Sequence, residues 1–369
     1  MFAARENKKR KKSQSAERGG TVSGERITAP APGRFAVVLG LLLAFAALAP
    51  GARAAAEEIG TAPTEVRSLV PVGHTVGVKL FADGVLVVGL SDGDSPAKDS
   101  GLREGDIVLA FNGAEIASTE HLQRLIEENG AAEATLGVRR GSRMMSLPVT
   151  PRENGNGTYR LGAWIRDSMA GIGTITFYDP DTGVFGALGH GVTDVDTGAL
   201  LPLQSGSVMD ATVKAVKRGE SGSRGELKGE FDLTRDSGTL YANTECGLFG
   251  KIEGESNAIT DDTRVPVAPG CEVRPGKASI LANCGGDEVR EYEVQIERVY
   301  AASSPTRNLL LRVTDPALLE RTGGIVQGMS GSPILQDGRL VGAVTHVLLN
   351  DATRGYGIFI DNMLSAAGL

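Results

Sequence analysis

From residue 67 onward the chain is a succession of short apolar runs punctuated by glycine, and that punctuation restricts it to strands joined by turns. Runs such as 76–80, 84–89, 184–188 and 309–313 have the length of a strand, and few stretches place apolar residues at helical spacing. Fifty glycines against sixteen prolines supply the turns. Three segments read as helix. Ser118 can cap one with Leu122, Leu125 and Ile126 on a single face, a second covers 316–321, and a short piece begins at 362. With 41% hydrophobic and 22% charged residues, the chain can bury one or two cores, which excludes a disordered or fibrous protein. The fold class is mainly β.

The first 66 residues follow other rules. Residues 1–34 carry nine Lys/Arg against three Glu, and they are expected to form a disordered basic cytoplasmic tail. Residues 35–49 are uncharged and mostly Leu, Ala, Val and Phe, closed by Pro50-Gly51 and followed by Ala54-Ala55-Ala56. A positive flank, an apolar run and a small-residue exit together define a signal peptide or transmembrane anchor over 35–55. Against the roughly twenty residues that span a bilayer, its fifteen-residue core suits a cleaved signal, and an eighteen-residue reading up to Ala52 suits a short anchor. Residues 56–66 read as a linker, so the remainder is expected outside the cytoplasm. The net charge of −7 conceals a remainder near −13 once the tail is set aside, which argues against nucleic acid as a partner. Cys246, Cys271 and Cys284 lack Cys-x-x-Cys spacing and nearby histidine, so ordinary thiols are favoured over a disulfide and no metal site is expected.

Two units follow the linker. The first, 67–150, contains strands at 76–80, 84–89, 134–139 and 144–149 around the helix that starts after Ser118. Its run Gly101-Leu102-Arg103-Glu104-Gly105-Asp106-Ile107 resembles PDZ domains of the bacterial protease-associated type. The resemblance implies a fold that adds a peptide strand to an open sheet edge, with the peptide's terminal carboxylate received at Val72, Gly73 and His74. His74 and His121 otherwise read as solvent-exposed polar residues.

The second unit, 151–369, holds about ten strands, which fits two small antiparallel barrels or a sandwich. Within it, Gly328-Met329-Ser330-Gly331-Ser332-Pro333 presents a serine on a tight turn between strands, the exposure a nucleophile needs to reach a bulky acyl carbon. The N–H of Gly328 would face a developing oxyanion. His190, flanked by Gly189 and Gly191 at the end of an apolar run, is placed as a general base. His346 lies mid-strand, which suits a packed or supporting histidine. Asp194, Asp196, Asp232, Asp315 and Asp361 are candidates for an acid that orients the imidazole. Asp315 ends an apolar strand near the serine turn, and before Pro316 it equally suits a helix cap.

Residues 169–178, 186–190, 314–316 and 323–333, followed by 342–347, are similar to the stage IV sporulation protein B peptidase family over roughly residues 35–369. The resemblance implies a membrane-anchored PDZ domain followed by a chymotrypsin-like double β-barrel peptidase domain. It further implies a serine endopeptidase of endospore-forming bacteria that works between the two spore membranes without a cofactor. Its substrates would be itself and a membrane-bound sporulation regulator, so that cleavage triggers an intramembrane protease and a sigma-factor signal. The family's triad falls on His190 as base, Asp315 as orienting acid and Ser330 as nucleophile. An aspartate fifteen residues before the serine departs from chymotrypsin-like spacing. A different class of reading stays open: a catalytically inert, membrane-tethered PDZ scaffold that binds peptides.

Overall fold

The computed structural model describes residues 67–369 except 255, 260–261 and 301–304. The basic tail, the apolar segment at 35–55 and the linker lie outside the described residues, and among the described residues no helix is long and apolar enough to cross a membrane.

The described chain contains two closed antiparallel barrels of six strands. The first runs Ala163–Asp179, Val184–Ala187, Gly247–Ile252, Gly238–Thr244, Leu203–Lys217 and Thr75–Leu90, and the last strand pairs back onto the first. Its interior holds Val76, Val78, Leu80, Ile175, Phe185, Val208 and Leu248 from the strands, with Leu201 from the loop before Leu203–Lys217. The second runs Gly276–Asn283, Val289–Val299, Leu309–Val313, Asp351–Phe359, Arg339–Leu348 and Pro333–Gln336, and Ile280 paired with Ile334 closes it. Closure leaves neither barrel with an open edge to aggregate through. Short helices seal the ends. Asp315 caps Pro316–Thr322, which stops at Gly323 in the left-handed conformation, and Ile360–Ala367 packs Ile360, Met363 and Leu364 between the barrels.

The boundary between the two units differs from the one expected at 150. Ser68–Pro71 and residues 75–82 of Thr75–Leu90 pair with strands beyond residue 150, so the PDZ unit is an insertion between the first two long strands of barrel one. Thr75–Leu90 and Ala163–Asp179 form one antiparallel ladder, from Thr75 opposite Thr174 inside the barrel to Leu90 opposite Ala163 inside the PDZ unit. A bulge interrupts this ladder between Phe81 and Leu86. The sequence reads 76–80 and 84–89, and likewise 161–165 and 171–178, as separate strands, because the glycine at each junction looks like a turn.

The inserted unit packs Val85, Val87, Phe111, Leu122, Ile126, Leu136 and Val138 around the helix Thr119–Asn129. Ser118 caps that helix by accepting from His121 N, as its sequence position predicts. Asp106, almost fully buried, accepts from Arg103 N at 2.8 Å and from Arg140 Nε at 2.6 Å. The Gly-Asp of the 101–107 run therefore locks the loop onto the strand Ala134–Arg140, and the charge is compensated where burial alone would be costly.

Candidate active site

The serine turn and the histidine loop meet on Thr174, in the middle of Ala163–Asp179. Thr174 N donates to the Ser330 carbonyl at 3.1 Å, and Thr174 Oγ1 donates to the Gly328 carbonyl at 2.7 Å. On the same residue, the Thr174 carbonyl accepts from Leu188 N at 3.1 Å, two positions before His190. Leu188 is held at φ 68°, a left-handed backbone that costs a leucine about 1–3 kcal/mol and re-aims the chain into Gly189-His190. Asn243 then clamps the far side of the loop, donating to the Val192 and Leu201 carbonyls and accepting from Val192 N.

Barrel two supplies the other wall. Ser330 Oγ donates to the Thr345 carbonyl at 2.7 Å, and the ring of the next residue, His346, stands 4.9 Å from the His190 ring, centroid to centroid. A bulge in the pairing of Arg339–Leu348 with Asp351–Phe359 falls between Val344 and His346, and bulges turn side chains off the regular alternation. Ser330 and His190 thus converge on two consecutive residues. In this resting arrangement the serine hydroxyl is spent on Thr345, and no hydrogen bond joins it to His190 among the described residues.

The backbone of the turn is used selectively. Met329, Gly331 and Ser332 N donate to the Val326, Val344 and Met329 carbonyls, whereas Gly328 N and Ser330 N meet no acceptor among the described residues. Two N–H groups left free two residues apart are what a developing oxyanion requires.

His190 is partly buried, and its Nδ1 donates to the Gly191 carbonyl at 2.9 Å. A carbonyl can only accept, so the proton sits on Nδ1 and Nε2 keeps its lone pair. Burial lowers the pKa of His190, and the Gly191 carbonyl opposes that shift by favouring the charged ring. The net lowering leaves a neutral imidazole whose Nε2 lone pair can accept a proton.

None of the five candidate carboxylates is hydrogen-bonded or ion-paired to His190. Asp315, expected as the orienting acid, accepts from Leu318 N at 3.0 Å and Glu293 N at 3.3 Å, so it caps a helix on the outside of barrel two. Asp194 is wrapped by Thr197 and the N–H of Asp196 and paired with Arg166, which also holds Asp196. Asp232 accepts from Thr234, and Asp361 accepts from Gly270 N. A backbone carbonyl occupies the position at Nδ1 where a carboxylate was expected.

The expected carboxylate-receiving residues also lie elsewhere. Val72 N and Gly73 N donate to the Thr176 and Ile175 carbonyls, and His74 is 5% exposed with its Nδ1 donating to Thr75. A Cβ on Gly73 would stand 2.6 Å from that of Leu281, so this turn is wedged between the barrels and cannot receive a peptide end. The open edge of the PDZ unit belongs to residues 163–168, which pair with Thr75–Leu90 on one side only among the described residues. The edge runs beside Thr119–Asn129, where Thr119 N and Oγ1 donate to Asp167. The turn ahead of it, Leu161-Gly162, points both carbonyls inward, to Ala97 N and Ser91 N. The three cysteines are unpaired thiols, and burial raises that of Cys284 to about 11.

Double barrels, a serine turn, a facing imidazole and free N–H groups define a serine peptidase, here carrying an inserted PDZ unit. Sequence patterns agree: the PDZ domain pattern matches residues 87–140, and that of SpoIVB peptidase S55 matches residues 157–364. The chain belongs to the SpoIVB peptidase S55 family. It is 38% identical over 77 residues to HhoA of Synechocystis sp., covering 21% of this chain and 19% of that protein. It is 33% identical over 60 residues to serine protease HTRA1 of Xenopus laevis, covering 16% and 13%. The match therefore spans about a fifth or less of the length of these relatives. Among solved structures, the active form of the Rv3671c protease of M. tuberculosis aligns at 16% identity with a TM-score of 0.30, over 55% of this chain and 75% of that one. The PDZ domain of the SdrC-like protein of Listeria monocytogenes aligns at 21% identity with a TM-score of 0.21, over 22% and 87%.

Proposed function

We propose that the protein is an endopeptidase in which Ser330 is the nucleophile and His190 the general base. The observation that carries this reading is the shared anchorage of both residues: Thr174 holds the Ser330 turn and the Leu188 end of the histidine loop at once. For reaction, Ser330 Oγ rotates off the Thr345 carbonyl and its proton passes to His190 Nε2. The oxygen attacks the peptide carbon, the carbonyl electron pair moves to oxygen, and the N–H groups of Gly328 and Ser330 stabilise that oxyanion. Collapse expels the amine with the proton from His190, and water then releases the acyl group by the same steps. Stabilisation of this kind is worth several kcal/mol because the donors are fixed before charge develops.

The substrates we assign are the chain itself and a membrane-bound regulatory protein of sporulation, cleaved outside the cytoplasm. Family membership and the apolar segment at 35–55 support that assignment. The PDZ unit would recruit such proteins by adding an extended peptide to the edge at 163–168, with a terminal carboxylate against Leu161-Gly162.

The test uses the full-length chain, its Ser330→Ala variant and a fluorophosphonate probe. Labelling at Ser330 is expected, with self-cleavage lowered at least about 10⁴-fold in the variant. Identical fragment patterns in the two proteins would sink the peptidase reading and leave a peptide-binding scaffold.

A further inference from the structure

The His190 ring has no carboxylate partner, yet it is not alone. His346 faces it at 4.9 Å with the ring planes tilted by 37°, and His346 Nδ1 is buried without any hydrogen-bond partner. A buried polar atom left unpaired costs free energy, so it calls for an explanation. Thr345 Oγ1 and Ser332 Oγ are unpaired in the same way, and both belong to the walls that hold Ser330. Elsewhere among the described residues most buried polar side chains are satisfied, as Asn243, Asp194 and Asp106 illustrate. Three of the five unsatisfied buried side-chain atoms among the described residues, those of Ser332, Thr345 and His346, lie around Ser330; Thr176 Oγ1 and Arg354 Nε are the other two.

The backbone explains how His346 comes to lie there. Thr345 offers its carbonyl to Ser330 Oγ, and the bulge at this point allows the next side chain to stand against His190. On its other side His346 pairs across the strands with Tyr356, whose ring carries Arg307 at 5.4 Å. Burial first, then the charge that His190 can carry, then Arg307 and Arg224 hold the His346 imidazole down at about 4. At neutral pH His346 is therefore an uncharged ring beside the base.

We propose that His346 is a positioning residue for His190: it fixes the plane of the His190 ring and solvates the positive charge that forms there, in place of a carboxylate. This rests on the reading of Ser330 and His190 given above. In the step where Oγ bonds to the acyl carbon, the serine proton moves to His190 Nε2, and His346 neither gains nor loses a proton. A neutral polar ring is a weaker partner for an imidazolium than a carboxylate, so it stabilises the charged state and raises the pKa of the base by less than a carboxylate would.

The experiment measures the second-order rate of Ser330 labelling by an alkyl fluorophosphonate probe across pH, in the full chain and in His346→Phe and His346→Gln. Phenylalanine keeps the ring contact and removes both nitrogens, and thermal melting shows whether each variant is folded. The expected result is a labelling rate at pH 7 at least tenfold lower in His346→Phe, with the acid limb of the profile displaced to lower pH. Glutamine, which restores polar atoms, is expected to recover part of the rate. A folded His346→Phe protein that labels at the wild-type rate with the wild-type profile overturns the proposal while leaving Ser330 and His190 in place. Absence of labelling at Ser330 in the unaltered chain would instead remove the peptidase reading, and this proposal with it.

Discussion

Gly331 and Thr174 touch so closely that a Cβ on Gly331 would overlap the Thr174 carbonyl and stand 2.6 Å from Leu188 N. The nucleophile turn therefore lies directly on the hydrogen bond that shapes the histidine loop. Gly331 also has φ +98°, where side chains are strained whatever the space. Gly331→Ala is expected to destabilise the protein by roughly 3 kcal/mol or more and to abolish Ser330 labelling. Thermal melting and fluorophosphonate labelling check both, and an active, stable variant would show that the two loops are not coupled through this contact.

Asp315 separates two ways of building the site. As a helix cap its loss should cost about 1 kcal/mol, and because it does not touch His190 the labelling rate should hold. Urea midpoints and labelling rates of Asp315→Ala measure the two effects. A hundredfold drop in rate with an intact fold would return Asp315 to the role the family resemblance gave it.

The two histidines make stability depend on pH in a definite direction. His346 falls from an ordinary value of 6.5 to about 4 in the folded protein, so between those values the unfolded chain takes up a proton that the folded one refuses. Stability is then full above about pH 6.5 and declines as pH drops toward 4. The ceiling is about 3 kcal/mol, reduced by solvent screening of a partly exposed ring. His190, also lowered by burial, acts in the same sense. Urea titrations between pH 7.5 and 4.5 should show the decline in the unaltered chain and a shallower one in His346→Phe.

Trp164 provides a direct reporter of the PDZ edge. It is the only tryptophan in the chain, 69% exposed, and it lies within the strand whose outer edge is open. Titration with short apolar peptides is expected to shift its emission to the blue, and C-terminal amidation should weaken binding about tenfold by removing the carboxylate. Equal affinity for free and amidated peptides would exclude Leu161-Gly162 as the receiving turn.

Much of this arrangement is legible in the residues themselves. Short apolar runs and abundant glycine determine a mainly β chain, and the 101–107 and 328–333 runs mark the PDZ and serine turns, because strand length, turn chemistry and capping are local properties. Ser118 shows this directly, since its cap depends only on the three residues that follow it. The insertion of the PDZ unit between two barrel strands is not local. Nothing in the run 75–90 distinguishes a strand that continues from one that turns back, because that depends on the partner at 163–179. Asp315 and Val72-Gly73-His74 carry the right chemistry at the right spacing, yet long-range packing commits them to a helix cap and to the wedge between barrels. His346 reads as an ordinary strand residue until the bulge beside Thr345 sets it against His190. Residue chemistry alone limits which side chains could do the work; the closing of two barrels onto Thr174 selects which of them meet, because residues distant in the chain are brought together by burial and pairing and not by spacing.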